Sequence, residues 1–277
     1  MAVKIVIDSA SDINEEEAKK LNVTMVPMLI TFGEEEFFDG VTLLPEQFYD
    51  KLEQTSELPK TSLINEFKWK EIYEDQTKNG DELVVITISS KLSGTYNAAT
   101  EASKSFGGVY VVDSLNACAG EKILCKYALN LVEQGLSARE IAGELEKAKH
   151  KVKVIAMIGT LEYLKKGGRI SSAVAFAGTL LSLKPVIAVI GGEVKVVGKA
   201  MGAKNGKAMV NKLADETNGV DTDKPFVILY SGTDKSIAER YTNEKNPLGS
   251  TAEISALGST IGTHIGPGAV GVAYFEK

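Results

Sequence analysis

From Val3 to about His150 the chain alternates short β-branched runs with longer helical segments, and this rhythm constrains the fold more than any other feature. The strand VKIVI precedes a helix from Asn14. A second apolar run at Thr24 to Ile30 precedes helices near Pro45 to Gln54 and Asn65 to Lys78. The runs at Leu83 to Ile88 and Val109 to Val112 are followed by helical stretches at Thr95 to Ala102, Gly120 to Gln134 and Ala138 to Lys149. Such a succession predicts a parallel sheet with helices on both faces. Ligands of such sheets sit beyond the carboxyl ends of the strands, where Asp8-Ser-Ala-Ser, Ser89 to Gly94 and Asp113-Ser114 fall. After Lys151 the rhythm changes. A strand at Val154 to Ile158 and two short helical pieces around Arg169 lead to Val186 to Ile190 and Val194 to Val197, joined by Gly191-Gly192 as a tight hairpin. A helix at Lys204 to Thr217, strand Phe226 to Ser231, a helix after Asp234 and strands near Glu253 and at Ala269 to Phe275 complete the chain. The expected fold is α/β: a parallel-sheet N-terminal domain over residues 1–150, and an α+β C-terminal domain over 151–277 with a mixed or antiparallel sheet.

The segment DELVVITISSKLSGTYNAAT, Asp81 to Thr100, joins a buried strand to a helix through a loop rich in hydroxyls and glycine. Ser89, Ser90 and Ser93 supply hydroxyls, Gly94 allows close backbone approach, and the first turn of the helix presents unpaired N–H groups with the positive end of its dipole. That is a loop for an anion. It lacks a Walker lysine, Lys91 stands where a GxSxG elbow has its first glycine, and no histidine is near. The loop therefore reads as binding before catalytic.

A formal net charge of −6 argues against a general nucleic-acid or anionic-membrane surface. The N-terminus enters a strand without a secretory pattern, and the longest apolar stretch, Ala173 to Ile190, is broken by Lys184-Pro185, so a cytoplasmic chain without stable membrane insertion is expected. Cys118 and Cys125 lie seven residues apart in one expected helix, about 10 Å between Cα atoms, too far for a disulfide. Two histidines and no CxxC or HExxH leave nothing for a zinc site, although carboxylates could hold magnesium.

Other candidates carry two readings each. Asp8-Ser9-Ala10-Ser11-Asp12 follows a strand, yet a phosphoaspartyl hydrolase needs an acid where Ala10 stands; capping by Asp8 and Asp12 of a helix beginning at Ile13 or Asn14 is the plainer reading, with Ser9 a secondary ligand candidate. Gly266-Pro-Gly-Ala-Val-Gly271 matches GxGxxG in letters only, because the last strand follows and no helix can. His264, in the glycine-rich run Gly258 to Gly268, is either a satisfied structural histidine or a ligand contact. His150 reads as a surface or capping residue. Arg169, after Lys165-Lys166-Gly167-Gly168, either pairs with a surface acid or grips an anion bidentately. Thr61-Ser62 reads first as a helix cap and second as further hydroxyls for the same anion, and Glu34 to Glu36 as a solvated turn.

Seven motifs in order resemble one family: Asp8-Ser-Ala-Ser-Asp12, Lys60-Thr61-Ser62, Ser89-Ser-Lys-Leu-Ser-Gly-Thr-Tyr96, Val112-Asp113-Ser114, Leu161 to Ile170, Leu183-Lys-Pro-Val-Ile187 and His264-Ile-Gly-Pro-Gly268. Together they resemble the DegV family of bacterial lipid-binding proteins, which includes the fatty-acid-binding subunits of fatty acid kinase. The resemblance implies a two-domain carrier, not a catalyst, that buries a long-chain fatty acid between its domains, with no cofactor. It further implies a carboxylate held by Thr61, Ser62, Ser93, the Gly94 backbone, Arg169 and His264, and a partner kinase catalytic subunit that phosphorylates it. Two departures stand out. Leu63-Ile64-Asn65 replaces the usual Gln-Pro-Ser after Thr61-Ser62, and Met201 and Ala203 stand where kinase-using relatives often carry arginines. Phe176 to Leu183 and Met25 to Ile30 are either tunnel linings or ordinary core. The alternative function is a phosphotransferase or hydrolase acting on a small phosphorylated substrate through Asp8, Asp113 and His264.

Overall fold

The computed structural model describes residues 2–55, 57–170, 182–244 and 246–277. Strands β1 (Val3–Asp8), β2 (Thr24–Val26), β6 (Glu82–Thr87) and β7 (Val109–Asp113) form an all-parallel sheet in the order β2-β1-β6-β7. Their near-continuous apolar runs suit burial on both faces: Ile5, Ile7, Val84 and Val85 are each buried. Helices α1 (Glu15–Leu21), α3 (Glu66–Thr77), α4 (Thr95–Ser103), α5 (Ala119–Glu133) and α6 (Ala138–Ala148) connect and flank these strands. Asn14, Asn65 and Ser137 accept from the backbone N–H three residues on, so α1, α3 and α6 start where capping chemistry dictates.

One part of this half departs from the expected alternation. The apolar run at Thr24 to Ile30 is interrupted at Pro27-Met28, and only β2 joins the parallel sheet. The remainder becomes β3 (Leu29–Phe32), which pairs antiparallel with β4 (Glu35–Phe38) and β5 (Lys60–Ser62) in a separate three-stranded sheet. Proline has no N–H for a central ladder and breaks the strand. Glu35 and Glu36 therefore lie in a strand, not a turn, and Thr61 and Ser62 pair with Ile30 and Leu29 instead of capping a helix. Helix α2 (Pro45–Gln54) packs Phe48, Tyr49 and Leu52 with Ile30 and Phe32 of this sheet.

All strands of the second large sheet come from residues after Lys151: β8 (Val152–Met157), β9 (Leu183–Ile190), β10 (Glu193–Met201), β11 (Val227–Tyr230), β12 (Glu253–Ala256) and β13 (Val270–Phe275), in the order β10-β9-β8-β13-β11-β12. All neighbours are antiparallel except β11 and β12, so the sheet is mixed as expected. Gly191 and Gly192 turn β9 into β10 with φ of 60° and 86°, the geometry of a two-residue hairpin that side chains disfavour. Helices α8 (Gly202–Asp215) and α9 (Ser236–Asn243) cover one face, and the opposite face shares a continuous core with α5 and the parallel sheet. Helix α7 (Glu162–Lys166) precedes Arg169; the second helical piece expected there, and Phe176 to Leu183 as far as residue 181, lie outside the described residues.

Helix α10 (Ser259–Ile265) occupies the glycine- and hydroxyl-rich run that reads as irregular in the sequence. Its first N–H groups are held from the other half of the chain: Gly258 donates to Asp12 Oδ1 at 2.7 Å and Ser259 to Asp39 Oδ1 at 2.9 Å. Asp12 thus caps α10 and not α1. Cys118 lies just before α5 and Cys125 within it, both buried and free.

Candidate functional site

The ends of β6 and β7 are tied together before any site is formed. Asp8 Oδ1 accepts from Ala10 N at 2.9 Å and Oδ2 from Ile88 N at 2.8 Å, while Asp113 Oδ1 accepts from Ser90 N and Leu115 N. Both acids are consumed by backbone. Ser9 Oγ accepts from Met28 N, and none of Asp8, Ser9 and Asp113 borders the main cavity. The acids invoked for the enzymatic alternative therefore lie apart from His264, which does border it.

That cavity has a volume of about 240 Å³, and all six residues expected at the carboxylate end border it: Thr61, Ser62, Ser93, Gly94, Arg169 and His264. They arrive on β5, the loop before α4, the turn after α7, and α10. The rest of the described wall is chiefly apolar, including Met28, Ile88, Ile158, Ile187, Leu257 and Ile261. Of the two stretches considered as linings, Met25 to Ile30 contributes Met28, whereas Ile30 packs with Phe48 in the small core.

At the polar end Thr61 Oγ1 and His264 Nε2 share a hydrogen bond of 3.1 Å. Gly167 makes this placement possible, because a Cβ there would come within 2.2 Å of His264 Nδ1. Arg169 is steered by two carbonyls, donating from Nε to Leu92 O at 3.2 Å and from Nη1 to Gly167 O at 2.6 Å. Among the described residues no carboxylate pairs with it. Ser93 Oγ lies 2.9 Å from Thr95 Oγ1 and accepts from Thr95 N, so its hydroxyl is oriented by the start of α4.

Burial, reinforced by the Arg169 guanidinium, pushes the His264 imidazole down to about 4, and it is neutral at pH 7. Between about pH 6.5 and 4 the unfolded chain takes up a proton that folded His264 refuses, so the His264 contribution to stability falls on acidification through this window, opposite in sign to that of the buried carboxyls with raised pKa. His264→Gln is expected to lose less stability than the wild type between pH 6.5 and 4.5, measured by urea unfolding. Identical losses in the two proteins would refute a buried neutral imidazole.

Among the described residues four buried carboxyls have raised pKa values. Burial lifts Asp8 to about 7 and raises Asp12, Asp39 and Glu121 as well; neither Glu121 oxygen has a partner among the described residues. Nothing in the sequence marks Glu121, within an ordinary helical pattern, as fully buried. Among the described residues no group of three or more His, Cys, Asp or Glu is placed to hold a metal ion, and no helix is long and apolar enough to cross a membrane.

The order of motifs and the fold agree with comparisons across known proteins. The sequence matches the DegV family, described as uncharacterised proteins, over residues 2–277. The chain belongs to the DegV family. This DegV chain is 32% identical to a DegV domain-containing protein of Halalkalibacterium halodurans, covering 99% of each chain. It is also 32% identical to a protein of Thermotoga maritima named a fatty acid-binding protein, covering 98% of this chain and 96% of that one. A solved structure of a DegV family protein from Thermus thermophilus, described by its fatty acid binding, superposes with a TM-score of 0.87 at 30% identity over the whole of both chains.

Proposed function

We propose that this DegV protein is a carrier of long-chain fatty acid. It buries the acyl tail in the main cavity, and Thr61, Ser62, Ser93, the Gly94 backbone, Arg169 and His264 hold the carboxylate. The observation that carries this reading is an apolar cavity with one polar end, where Arg169 meets only carbonyl acceptors among the described residues. A neutral imidazole bonded to Thr61 suits a site that hydrogen-bonds a carboxylate without supplying a second full charge. The fatty-acid-binding relatives support the same ligand class.

Burial of roughly fifteen methylenes at about 0.8 kcal/mol each outweighs hydrogen bonds to a charged group at about 1.5–3 kcal/mol each. The tail dominates affinity, and the polar end fixes which end is presented. We assign the tail site to the junction of an N-terminal domain, 1–150, and a C-terminal domain, 151–277, in a cytoplasmic protein. Presentation of the carboxylate to a partner kinase catalytic subunit for phosphorylation belongs to the same proposal. Met201 and Ala203, both exposed near the start of α8, would make that docking differ from an arginine-based one.

Native mass spectrometry of the purified protein tests the ligand. A co-purifying acyl chain, or uptake of added palmitate or oleate, is expected. Absence of both would overturn the carrier reading, and magnesium-dependent turnover of a phosphorylated substrate by the isolated chain would favour the enzymatic alternative.

A further inference from the structure

Strand β8 is paired along its whole length on one side and only partly on the other. All six residues Val152–Met157 pair with β13, but β9 pairs only with Ile155–Met157, through Val186–Ala188. Past Ile155 and Ala188 the two strands have no further register, although both continue. The β9–β10 hairpin tip is anchored elsewhere: Ser89 Oγ donates to Gly192 O at 2.8 Å, in the loop after β6. A Cβ on Gly192 would lie 2.5 Å from that hydroxyl, so the anchor depends on glycine.

A second cavity, of about 570 Å³, lies beyond this split and shares Val154, Ala188 and Val189 with the main cavity. Val154 and Val189 pack toward the parallel-sheet half, whereas Ala188 packs in the core on the opposite face. The two cavities therefore border the same three residues at the edge of the split. Ile155, Val197 and Leu213 give the second cavity one apolar wall, while Lys149, His150, Lys153, Glu216 and Glu276 make the other side polar and charged.

We propose that the split between β8 and β9 is a port through which the methyl end of a long acyl chain passes from the main cavity into the second one, with Val189 as its gatepost. This rests on the fatty-acid reading. Shorter acids end within the main cavity; longer ones thread past Val154 and Val189 and lay their last methylenes against Ile155, Val197 and Leu213. The port is apolar on the main-cavity side, as the methyl end of a chain requires.

The test compares dodecanoate with octadecanoate in binding to wild type and Val189→Phe, together with photo-crosslinking of wild type by octadecanoate carrying a terminal diazirine. Each methylene kept out of an apolar site costs about fourfold in affinity, so a blocked port that excludes three should weaken octadecanoate on the order of fiftyfold. Dodecanoate, whose chain ends short of the port, should be weakened several-fold less than octadecanoate. The crosslinks should fall at Val197, Leu213 and neighbouring residues of the second cavity. The crosslinking needs no substitution, so misfolding of Val189→Phe would not leave the port untested. Binding of both acids with crosslinks confined to the main cavity overturns the port and leaves the carrier intact. Binding of neither acid by wild type overturns the carrier and the port with it.

Discussion

Asp8→Ala is expected to lower the unfolding free energy by about 4 kcal/mol, because it strands two buried N–H groups at about 1–3 kcal/mol each. Those groups are Ala10 N and Ile88 N, and Asp8 is 0% exposed, so water cannot replace the carboxylate without rearrangement. Asp8→Asn keeps one acceptor and should lose about half as much. The site should suffer with the fold, since Ile88 leads directly into the Ser89 to Gly94 loop. The pH dependence has a definite sign. Folded Asp8 keeps its proton up to about pH 7, whereas the unfolded carboxyl releases it near 3.8, so the folded state binds more protons in between and stability falls as pH rises through that window. Asp12, Asp39 and Glu121 are shifted in the same direction. Urea unfolding of wild type and both variants at pH 5 and pH 7 checks the magnitude and the slope. A loss below about 1 kcal/mol in Asp8→Ala would show that Asp8 does not tie these loops together.

Arg169→Ala is expected to weaken palmitate binding by about 2 kcal/mol, roughly thirtyfold, the worth of a hydrogen-bonded charge on a carboxylate. Hexadecanol, with the same tail and no charge, should bind the variant and the wild type about equally. The guanidinium is already positioned by Leu92 O and Gly167 O, so little side-chain ordering remains to be done when an acid arrives. Arg169→Lys keeps the charge but not the fork, and should fall between the two. Isothermal titration of both ligands decides the matter: equal weakening for acid and alcohol would assign Arg169 to the shape of the cavity, and an unchanged affinity for palmitate would remove it from the carboxylate site.

Much of the architecture is legible in local pattern. The β-branched runs of β1, β6 and β7, the caps Asn14 and Asn65, and the Gly191-Gly192 hairpin all have causes within a few residues, so periodicity and turn chemistry suffice to locate them. The letter match at Gly266 to Gly271 is likewise only that, because the glycines lead into β13 and not into the helix that a dinucleotide loop opens. Other elements have no local cause. Thr61 and Ser62 form a strand only because β3 lies beside them, and three residues are too few to display a period. Helix α10 is poor helix material by propensity, and it stands because Asp12 and Asp39 cap it from more than two hundred residues away and Tyr49 donates its hydroxyl to Leu257 O just before it.

The residue types of the polar end were thus present in the sequence as separate motifs, and the alternation of strands and helices determined the sheet that carries the Ser93 loop. Tertiary structure alone decided that Thr61 meets His264 across 203 residues and that Arg169 turns back to Leu92 across 77. It alone decided that Glu121 is buried with no partner among the described residues and that β8 and β9 part beyond Ile155. The division has a physical basis: helix and strand periods are imposed by backbone geometry over a few residues, whereas a cavity and its electrostatics depend on which distant surfaces exclude water together.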